Sequence, residues 1–158
     1  MRRSLHHALA AMLGLAFAGI PPANADAGCT GRSGGGAVKL NVVASGLRDA
    51  KGEVAFTIYP DDRSRFLASH GKLLRARVPA RAPVTRACFW LKPGHYAAAI
   101  YHDANADHDF NRTLFSIKEG FGFSNDAPTT LGLPSFADAR FPVAQNGGTI
   151  TIRMRYSR

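Results

Sequence analysis

Apolar residues that recur at every second position, in short runs, dominate this chain from about residue 38 onward. In the run VKLNVVASGL, for example, Val38, Leu40 and Val42 fall on one face of an extended chain. Side chains alternate between the two faces of a β-strand, so this period predicts strands with one buried face. Such runs, separated by turns rich in Pro, Gly, Asn and Asp, cover residues 38–47, 52–60, 73–80, 83–91, 94–102, 139–144 and 147–156. The pattern predicts an all-β fold, an antiparallel β-sandwich of about seven strands, immunoglobulin-like or transthyretin-like.

Turn chemistry between the runs predicts how neighbouring strands connect. The segment RDAKG (48–52) supplies Asp and Gly between the first two strands, so we expect these strands to form a hairpin. The segment KPG (92–94) predicts a tight turn before the fifth strand. The segment 61–74 predicts a loop with at most one helical turn, in which Phe66 and Leu67 cover one open end of the core.

The first residues have the features of a secretory signal peptide. Arg2 and Arg3 precede an apolar stretch, Ala8 to Ile20, which is followed by small residues up to Ala25. This stretch is about 13 residues long, short of the ~20 that span a bilayer, so we expect cleavage and no transmembrane segment in the processed chain. The predicted organisation is a signal peptide (1–25), a flexible glycine-rich leader (26–36) and a single β-sandwich domain (37–158). The protein is therefore expected to be exported, as a periplasmic or secreted protein.

Cys29 and Cys88 are the only two cysteines. Export to an oxidising compartment predicts a disulfide between them, which ties the mature N-terminus to the fourth strand. Two free, buried thiols are the alternative. Alternation within the fourth strand places Cys88 on the face of Arg86 and Trp90, with Phe89 on the opposite face.

The formal net charge is +9, and removal of Arg2 and Arg3 with the signal peptide leaves +7. A positive charge favours anionic partners such as lipid headgroups or polysaccharide. The basic residues are scattered, without an aromatic stacking pattern between them, so no nucleic-acid binding is expected and solvated strand faces are the first interpretation. The alternative is an adhesion module that binds an anionic envelope component. Such a module requires four arginines on one exposed face: Arg75, Arg77, Arg153 and Arg155.

Strand periodicity disappears between residues 103 and 140. An irregular stretch of this length in a small domain is usually functional or carries its own packing. Apolar residues recur in it, among them Phe110, and predict a long ordered loop that folds against the domain. Sequence motifs for catalysis are missing, because Ser124 lacks the G-x-S-x-G context and no glycine-rich phosphate loop joins a strand to a helix. We therefore expect no enzymatic activity.

The most unusual stretch, YHDANADHDFN (101–111), concentrates oxygen ligands at the end of the fifth strand. Carboxylate and carboxamide groups spaced two residues apart can converge on one cation, and calcium takes six to eight such oxygens. The spacing matches the start of a D-x-[DN]-x-[DN] calcium loop. The candidate calcium ligands are Asp103, Asn105, Asp107, Asp109, Asn111 and, if the chain folds back on itself, Glu119.

Two positions depart from the usual calcium loop. His108 stands where that loop has glycine, and Leu114 stands where it has a bidentate acid. The alternative is a set of Asx turns in which Asp and Asn bond to their own backbone, with Arg112 neutralising the acids. A copper or zinc site is not favoured, because His95 and His102 are seven residues apart and lie on opposite faces of one strand.

The run PGHYAAAIYHDANADHDFNRTLFSIKEGFGFSNDA, followed by PSFADARFPV, resembles the signature of a secreted bacterial family, domain-of-unknown-function family 2141. The family pattern contains His-Asp-x-Asn-x-Asn/Asp-Gly-x-Leu-Asp and then Pro-x-Glu-Gly-x-Gly-Phe-Ser-Asn. The resemblance covers the domain from about Val38 and is densest between Lys92 and Phe141. It implies an exported, compact β-sandwich whose biochemical role is not established. The matching residues are His102, Asp103, Asn105, Asp107, Asn111, Glu119, Gly120, Gly122, Phe123, Ser124 and Asn125.

The second half of this signature, KEGFGFSND, also has a physical interpretation. Gly120 and Gly122 predict turns closed to other residues, so that Phe121 and Phe123 plug the end of the sandwich and brace the Asp/Asn loop. That loop is similar to the calcium loops in transthyretin-like repeats of bacterial surface proteins. Together these features predict an exported, non-enzymatic envelope protein of unestablished role with a structural calcium-binding loop.

Overall fold

The alternating runs form strands where the sequence predicts them. The computed structural model describes residues 28–108, 112–113, 116–117, 119–129 and 133–156, with side chains in all but 112–113 and 116–117. The predicted signal peptide (1–25) lies outside these residues. Within them the strands are β1 (Val38–Ser45), β2 (Glu53–Pro60), β3 (Leu74–Pro79), β4 (Val84–Leu91), β5 (Gly94–Asp103), β6 (Arg112–Thr113), β7 (Ser116–Ile117), β8 (Gly120–Phe123), β9 (Arg140–Val143) and β10 (Gly148–Arg153). They are accompanied by a 3₁₀ turn, Ser124–Asp126, and a short helix α1, Phe136–Ala139.

The strands form two sheets packed face to face and a separate ribbon, β6–β7. The first sheet has the order β10-β1-β4, and the second has the order β3-β2-β5-β8, with β9 paired to the other part of β5. The ladders are antiparallel except for β1 with β10, which is parallel. The predicted all-β sandwich is confirmed, with one parallel ladder in a largely antiparallel architecture.

The main core lies between the two sheets. Leu40 and Val42 of β1 and Phe89 of β4 pack against Phe56 and Ile58 of β2. All five side chains are at most 2% exposed. Full burial of an apolar side chain of this size contributes about 1.5–3 kcal/mol, so this layer is the chief source of stability.

A second apolar cluster covers the outer face of the second sheet. Tyr59 of β2 and Phe123 of β8 are buried there, and Phe66 and Leu67 from the β2–β3 loop pack against them. The rings of Tyr59 and Phe66 meet edge to face at 5.4 Å between centroids. Phe66 and Leu67 therefore cover the outer face of the second sheet and not, as predicted, an open end of the core. Phe121 and Phe123 lie on the same outer face and do not plug the end of the sandwich, which corrects that prediction as well.

The predicted hairpin of the first two strands is wrong. β1 pairs with β4 and β10, whereas β2 pairs with β3 and β5. The RDAKG turn therefore carries the chain from the first sheet to the second, and Lys92–Pro93 makes a similar crossing between β4 and β5. Period-two alternation specifies the buried face of a strand but not its partner, and both strands point their apolar faces at the same core from opposite sides.

The stretch predicted to be irregular, residues 103–140, contains strand β8. The period-two alternation of side chains in β8 is hidden in the sequence because every second residue of this strand is glycine. A Cβ at Gly120 would lie 2.3 Å from the Tyr156 ring, and one at Gly122 would lie 2.4 Å from the Arg153 carbonyl oxygen. Both glycines are therefore required by the close approach of another segment and not by a turn, which corrects the prediction.

That close approach joins the two sheets at one edge. The amide of Phe121 donates to the Arg155 carbonyl at 2.9 Å, and the amide of Arg155 donates to the Phe121 carbonyl at 2.7 Å. These two bonds continue the second sheet onto the end of the first. Backbone groups at this edge are consequently paired, which protects the edge against strand addition.

The predicted disulfide between Cys29 and Cys88 is confirmed, with a Cα–Cα distance of 4.6 Å. Next to it the Thr30 amide donates to the Cys88 carbonyl, and the Trp90 amide donates to the Thr30 carbonyl, each at 2.9 Å. The segment that precedes the domain thus covers the outer edge of β4. In the described part of the chain, no helix has the length and apolar character needed to cross a membrane.

Candidate metal centre

The acid loop, residues 103–108, begins at the end of β5 and lies at one end of the second sheet. Asp103 is the last residue of β5 and pairs in register with Glu53, the first residue of β2. The Asp103 side chain is fully buried, whereas residues 105–108 are exposed. β5 therefore holds the Asp103 carboxylate in the interior at this end of the sheet, and the following residues of the acid loop fold over it.

Three side chains form what we call the carboxylate cluster: Asp103, Asp107 and Glu119. One oxygen from each lies within 4.8 Å of the other two. Glu119 is only 6% exposed. It directly precedes β8, and the pairing of His102 with Gly120 brings this residue beside the end of β5. The fold therefore brings together three of the predicted ligands, including the distant Glu119.

Hydrogen bonds within the acid loop fix its shape. Asp103 accepts from the Asp107 amide at 3.2 Å through Oδ1 and from the His108 amide at 2.9 Å through Oδ2. Asn105 donates to Asp107 Oδ2 at 2.7 Å. The Asp107 amide also lies 3.4 Å from Asn105 Oδ1, which is an Asx turn of the kind that the alternative interpretation predicts. Ala106 and His108 have left-handed backbones, with φ of 55° and 68°. His108 thus takes the conformation for which the calcium loop normally has glycine.

Arg77 of β3 brings a positive charge to the loop. It donates to Asp103 Oδ2 at 3.0 Å, to the Glu53 carboxylate, to the Tyr101 hydroxyl at 2.5 Å and to the His108 carbonyl at 2.9 Å. Its side chain is 19% exposed. Burial raises the pKa of Tyr101, and the charge and hydrogen bond of Arg77 oppose this effect. The Arg77 guanidinium thus pairs with two carboxylates, those of Glu53 and Asp103, at this end of the second sheet.

The donor set suits a hard cation. Calcium–oxygen distances of about 2.3–2.6 Å place opposite ligands about 5 Å apart, so oxygens within 4.8 Å of one another can share one ion. Asp103 Oδ1 accepts one described hydrogen bond, and a carboxylate oxygen has two lone pairs, so it can also coordinate. Carboxylates, amide oxygens and carbonyls favour calcium or magnesium over copper or zinc.

Several residues of the prediction lie outside the described part of the chain. Asp109, Asn111 and Leu114 belong to this group, as does the side chain of Arg112, the predicted counter-ion. Asn105 is described and is exposed, and its amide bonds to Asp107. Of the six predicted ligands, the structure therefore places four, and three of these form the carboxylate cluster.

A buried histidine lies next to the acid loop. His102 Nδ1 is 2.8 Å from the Tyr156 hydroxyl, and Nε2 is 2.7 Å from the Lys51 carbonyl and 3.8 Å from Asp49. A carbonyl only accepts, so Nε2 carries a proton and donates it to Lys51, while Nδ1 is hydrogen-bonded to the Tyr156 hydroxyl. His95 is exposed, which confirms the prediction that these two histidines lie on opposite faces. The apolar run before His102 was the only signal of its burial.

The four arginines that the adhesion alternative requires on one exposed face do not share one. Arg75 and Arg77 lie on β3, an edge of the second sheet that adjoins β4. Arg153 ends β10, at the opposite edge of the first sheet, beside β8. Arg155 donates to the Asp126 carbonyl at 2.6 Å. Alternation shows which face of a strand is polar but not where that strand lies in the sandwich, so one flat anionic surface does not reach all four residues.

The Ser124–Asp126 turn holds the chain after β8. Ser124 Oγ accepts from the Ala98 amide at 2.9 Å and also contacts the Ala139 carbonyl. Asn125 donates at 3.0 Å to the Asp138 carbonyl in α1 and at 2.9 Å to the Arg140 carbonyl in β9. Asp126 accepts at 2.8 Å from the last amide of β10. The polar groups of this turn therefore bind backbone of both sheets.

Comparison with known families places the chain. A family model described as "Uncharacterized protein conserved in bacteria (DUF2141)" matches residues 42–151. Comparison with curated proteins and with solved structures finds no match. The matched span runs from β1 into β10 and includes the acid loop, Glu119 and the Ser124–Asp126 turn. Because this model covers well over half of the sequence, the chain belongs to the bacterial DUF2141 family, as its residues between Lys92 and Phe141 predict.

Proposed function

We propose that this protein is an exported, non-enzymatic domain of the bacterial envelope whose carboxylate cluster binds a hard divalent cation, with calcium as the first candidate. The ion stabilises the end of the second sheet. The observation that carries the proposal is the convergence of Asp103, Asp107 and Glu119 within 4.8 Å, with two of the three carboxylates buried. Carboxylates gathered in this way are the ligands that calcium prefers.

Electrostatics supports the same conclusion. Two unit negative charges 4.8 Å apart repel each other by about 3 kcal/mol at an effective dielectric constant of ~20. Arg77 offsets part of this repulsion, but its charge is shared between Asp103 and Glu53. A divalent ion at the carboxylate cluster offsets this repulsion more strongly than one guanidinium does, because it carries twice the charge.

Export is supported by two features. The sequence begins with a basic, then apolar, then small-residue segment typical of a cleaved signal peptide. The Cys29–Cys88 disulfide is typical of proteins that fold in oxidising compartments such as the periplasm. The absence of a catalytic role is supported by Ser124 and His102, whose polar atoms bond to backbone groups and to Tyr156.

Thermal unfolding with and without calcium tests the cation site. Protein treated with a chelator is expected to gain stability when calcium is added, by about 2.7 kcal/mol at a hundredfold excess over Kd, because only the folded state assembles the ligands. For a domain of this size, that gain corresponds to a rise in Tm of roughly 10 °C. Magnesium should give a smaller rise, because its shorter bonds demand stricter geometry.

Two variants give the test its specificity. Glu119→Gln removes one carboxylate of the cluster and should abolish the calcium-dependent rise in Tm. Asp62→Asn removes a carboxylate in the β2–β3 loop, at the other end of β2, and should leave the rise intact. No rise for the wild-type protein at millimolar calcium, or an equal rise for Glu119→Gln, contradicts the proposal.

A further inference from the structure

A cavity of about 440 Å³ opens beside the β2–β3 loop, on the outer side of the second sheet. We call it the basic cavity, and its lining residues are Tyr59, Leu67, Ala68, Ser69, His70, Lys72 and Arg75. Its volume is in the ~300–1,000 Å³ range of small-molecule sites. Tyr59 lies near the end of β2 opposite to Glu53, so the basic cavity is separate from the acid loop.

The charges around this cavity have one sign. Lys72 and Arg75 bring two positive charges, and among the residues that the structure describes no acidic side chain lines the cavity. The two acids that begin the β2–β3 loop have other partners. Asp61 pairs with Arg140 at 2.7 Å, and Asp62 accepts two hydrogen bonds within its own turn. The cavity therefore presents an uncompensated positive field to a small ligand.

Arg75 is held in place at the cavity. Its Nε donates to Thr57 Oγ1 at 2.9 Å, and its guanidinium lies 5.9 Å from the centroid of the Tyr101 ring. Burial raises the pKa of Tyr59, and the charge and hydrogen bond of Arg75 oppose this effect. The Tyr59 hydroxyl also lines the cavity and carries a proton that it can donate to an anion.

Backbone hydrogen bonds fix the shape of the loop that lines the cavity. Three successive turns, closed by the amides of Arg65, Ala68 and Gly71, run through it with distances of 3.1, 3.2 and 3.0 Å. Leu67 and His70, which line the cavity, have left-handed backbones with φ of 58° and 60°. Side chains rarely adopt this conformation unless neighbouring structure enforces it, so the turns of this segment determine the shape of the cavity wall.

We propose that the basic cavity binds a phosphate group, in a role additional to the cation site. Arg75 and Lys72 contact the anion through charge-assisted hydrogen bonds, and the hydroxyls of Tyr59 and Ser69 add neutral donors. A phosphate offers several acceptor oxygens and up to two negative charges, and it therefore matches donors on several sides better than a planar carboxylate does. The group is either free phosphate or the phosphomonoester headgroup of an envelope lipid.

Titration with inorganic phosphate at constant low ionic strength, followed by amide chemical shifts and by calorimetry, tests the proposal. Saturable shifts are expected at the amides of Ser69, His70 and Lys72. The double variant Lys72→Gln, Arg75→Gln should bind at least about tenfold more weakly, because two charge-assisted hydrogen bonds are lost. The absence of saturable shifts in this segment overturns the proposal.

A matched control variant shows whether phosphate binding depends on the basic cavity or only on the net positive charge of the protein. Arg86→Gln with Lys92→Gln removes the same two charges from exposed positions on and next to β4. This variant should keep phosphate affinity within about twofold of wild type, because neither residue lines the cavity and exposed charges outside it are screened. Equal weakening by the two double variants overturns the proposal. Should Arg75→Gln unfold the protein, Lys72→Gln alone, at an exposed residue, should still weaken binding while Arg86→Gln does not.

Vesicles distinguish the two sources of phosphate. Retention on phosphatidylcholine vesicles that contain phosphatidic acid, reversed by inorganic phosphate, identifies a lipid headgroup as the ligand. Saturable phosphate binding without retention on these vesicles identifies a soluble phosphate. Glu119→Gln should bind phosphate like wild type, so failure of the cation proposal and failure of the phosphate proposal are independent results.

Discussion

Replacing Arg77 tests how the buried end of β5 is stabilised. Arg77 donates to Asp103, which is fully buried, and to Glu53, Tyr101 and the His108 carbonyl. Arg77→Met keeps most of the apolar stem of the side chain and removes its charge. The Asp103 carboxylate then remains inside the protein without its described cationic partner, which is one of the most destabilising changes available to a small domain.

The expected loss of stability is large. Breaking a buried ion pair from one side costs about 3–5 kcal/mol, and because Arg77 is 19% exposed we expect the lower value, about 3 kcal/mol. At about 4 °C per kcal/mol for a domain of this length, Tm should fall by about 12 °C. Tm should be measured in the presence of a chelator, so that a bound cation does not substitute for the missing guanidinium.

Arg75→Met is the matched control. Arg75 lies two residues away on the same strand and, like Arg77, lies over the Tyr101 ring. It bonds to Thr57 instead of to an acid, so its loss should cost only about 1 kcal/mol. Urea denaturation of both variants gives the two free energies of unfolding. If they are equal, Arg77 acts as an ordinary strand residue and the argument about Asp103 fails.

Three other contacts lead to measurable expectations. Serine at both Cys29 and Cys88 releases a restraint across 59 residues and should lower the free energy of unfolding by about 4 kcal/mol in urea, whereas an unchanged midpoint contradicts this. Ser124→Ala removes the acceptor of a buried β5 amide and should cost about 2 kcal/mol; hydrogen exchange at that amide should accelerate, and unchanged protection refutes the assignment. Hydrogen bonds from Arg140 hold the pKa of Asp61 below its usual range, so this pair stabilises the fold above roughly pH 4 and ceases to do so as pH falls through the lowered folded value. Wild type and Arg140→Gln should therefore differ in urea midpoint at neutral pH and converge in acid; a difference that persists at low pH counts against the pair.

The strands and their buried faces were predictable from the sequence because burial of one sheet face imposes a period of two. The pairing of strands was not, as β1 and β2 show. Both have an apolar face and a turn between them, yet the turn crosses from one sheet to the other. β8 was missed for a related reason, since Gly120 and Gly122 carry no side chain to display the period. In both cases contacts between residues distant in sequence determine the structure, and the local apolar pattern does not specify those contacts.

The candidate site was predicted in part. Asp103 and Asp107 are close in sequence, and Glu119 was included because a calcium loop needs a further acid. The structure brings these three residues together through the pairing of β5 with β8. Arg77 was not foreseen as a partner of Asp103, because β3 and the acid loop are distant in sequence. Their contact follows from the order β3-β2-β5, which alternation does not specify.

The residues that carry the family resemblance divide into two physical groups. Gly120 and Gly122 permit close approach to the 153–156 segment, and Ser124 and Asn125 bind backbone carbonyls and an amide, so these four specify how the chain packs. Glu119 directly precedes them, and its carboxylate joins the acid loop. Packing residues determine where the carboxylate lies, whereas the carboxylate itself supplies negative charge to the proposed cation site. A DUF2141 protein with the glycine and serine positions intact but glutamine in place of this glutamate should therefore fold as the present chain does and lose the response to calcium.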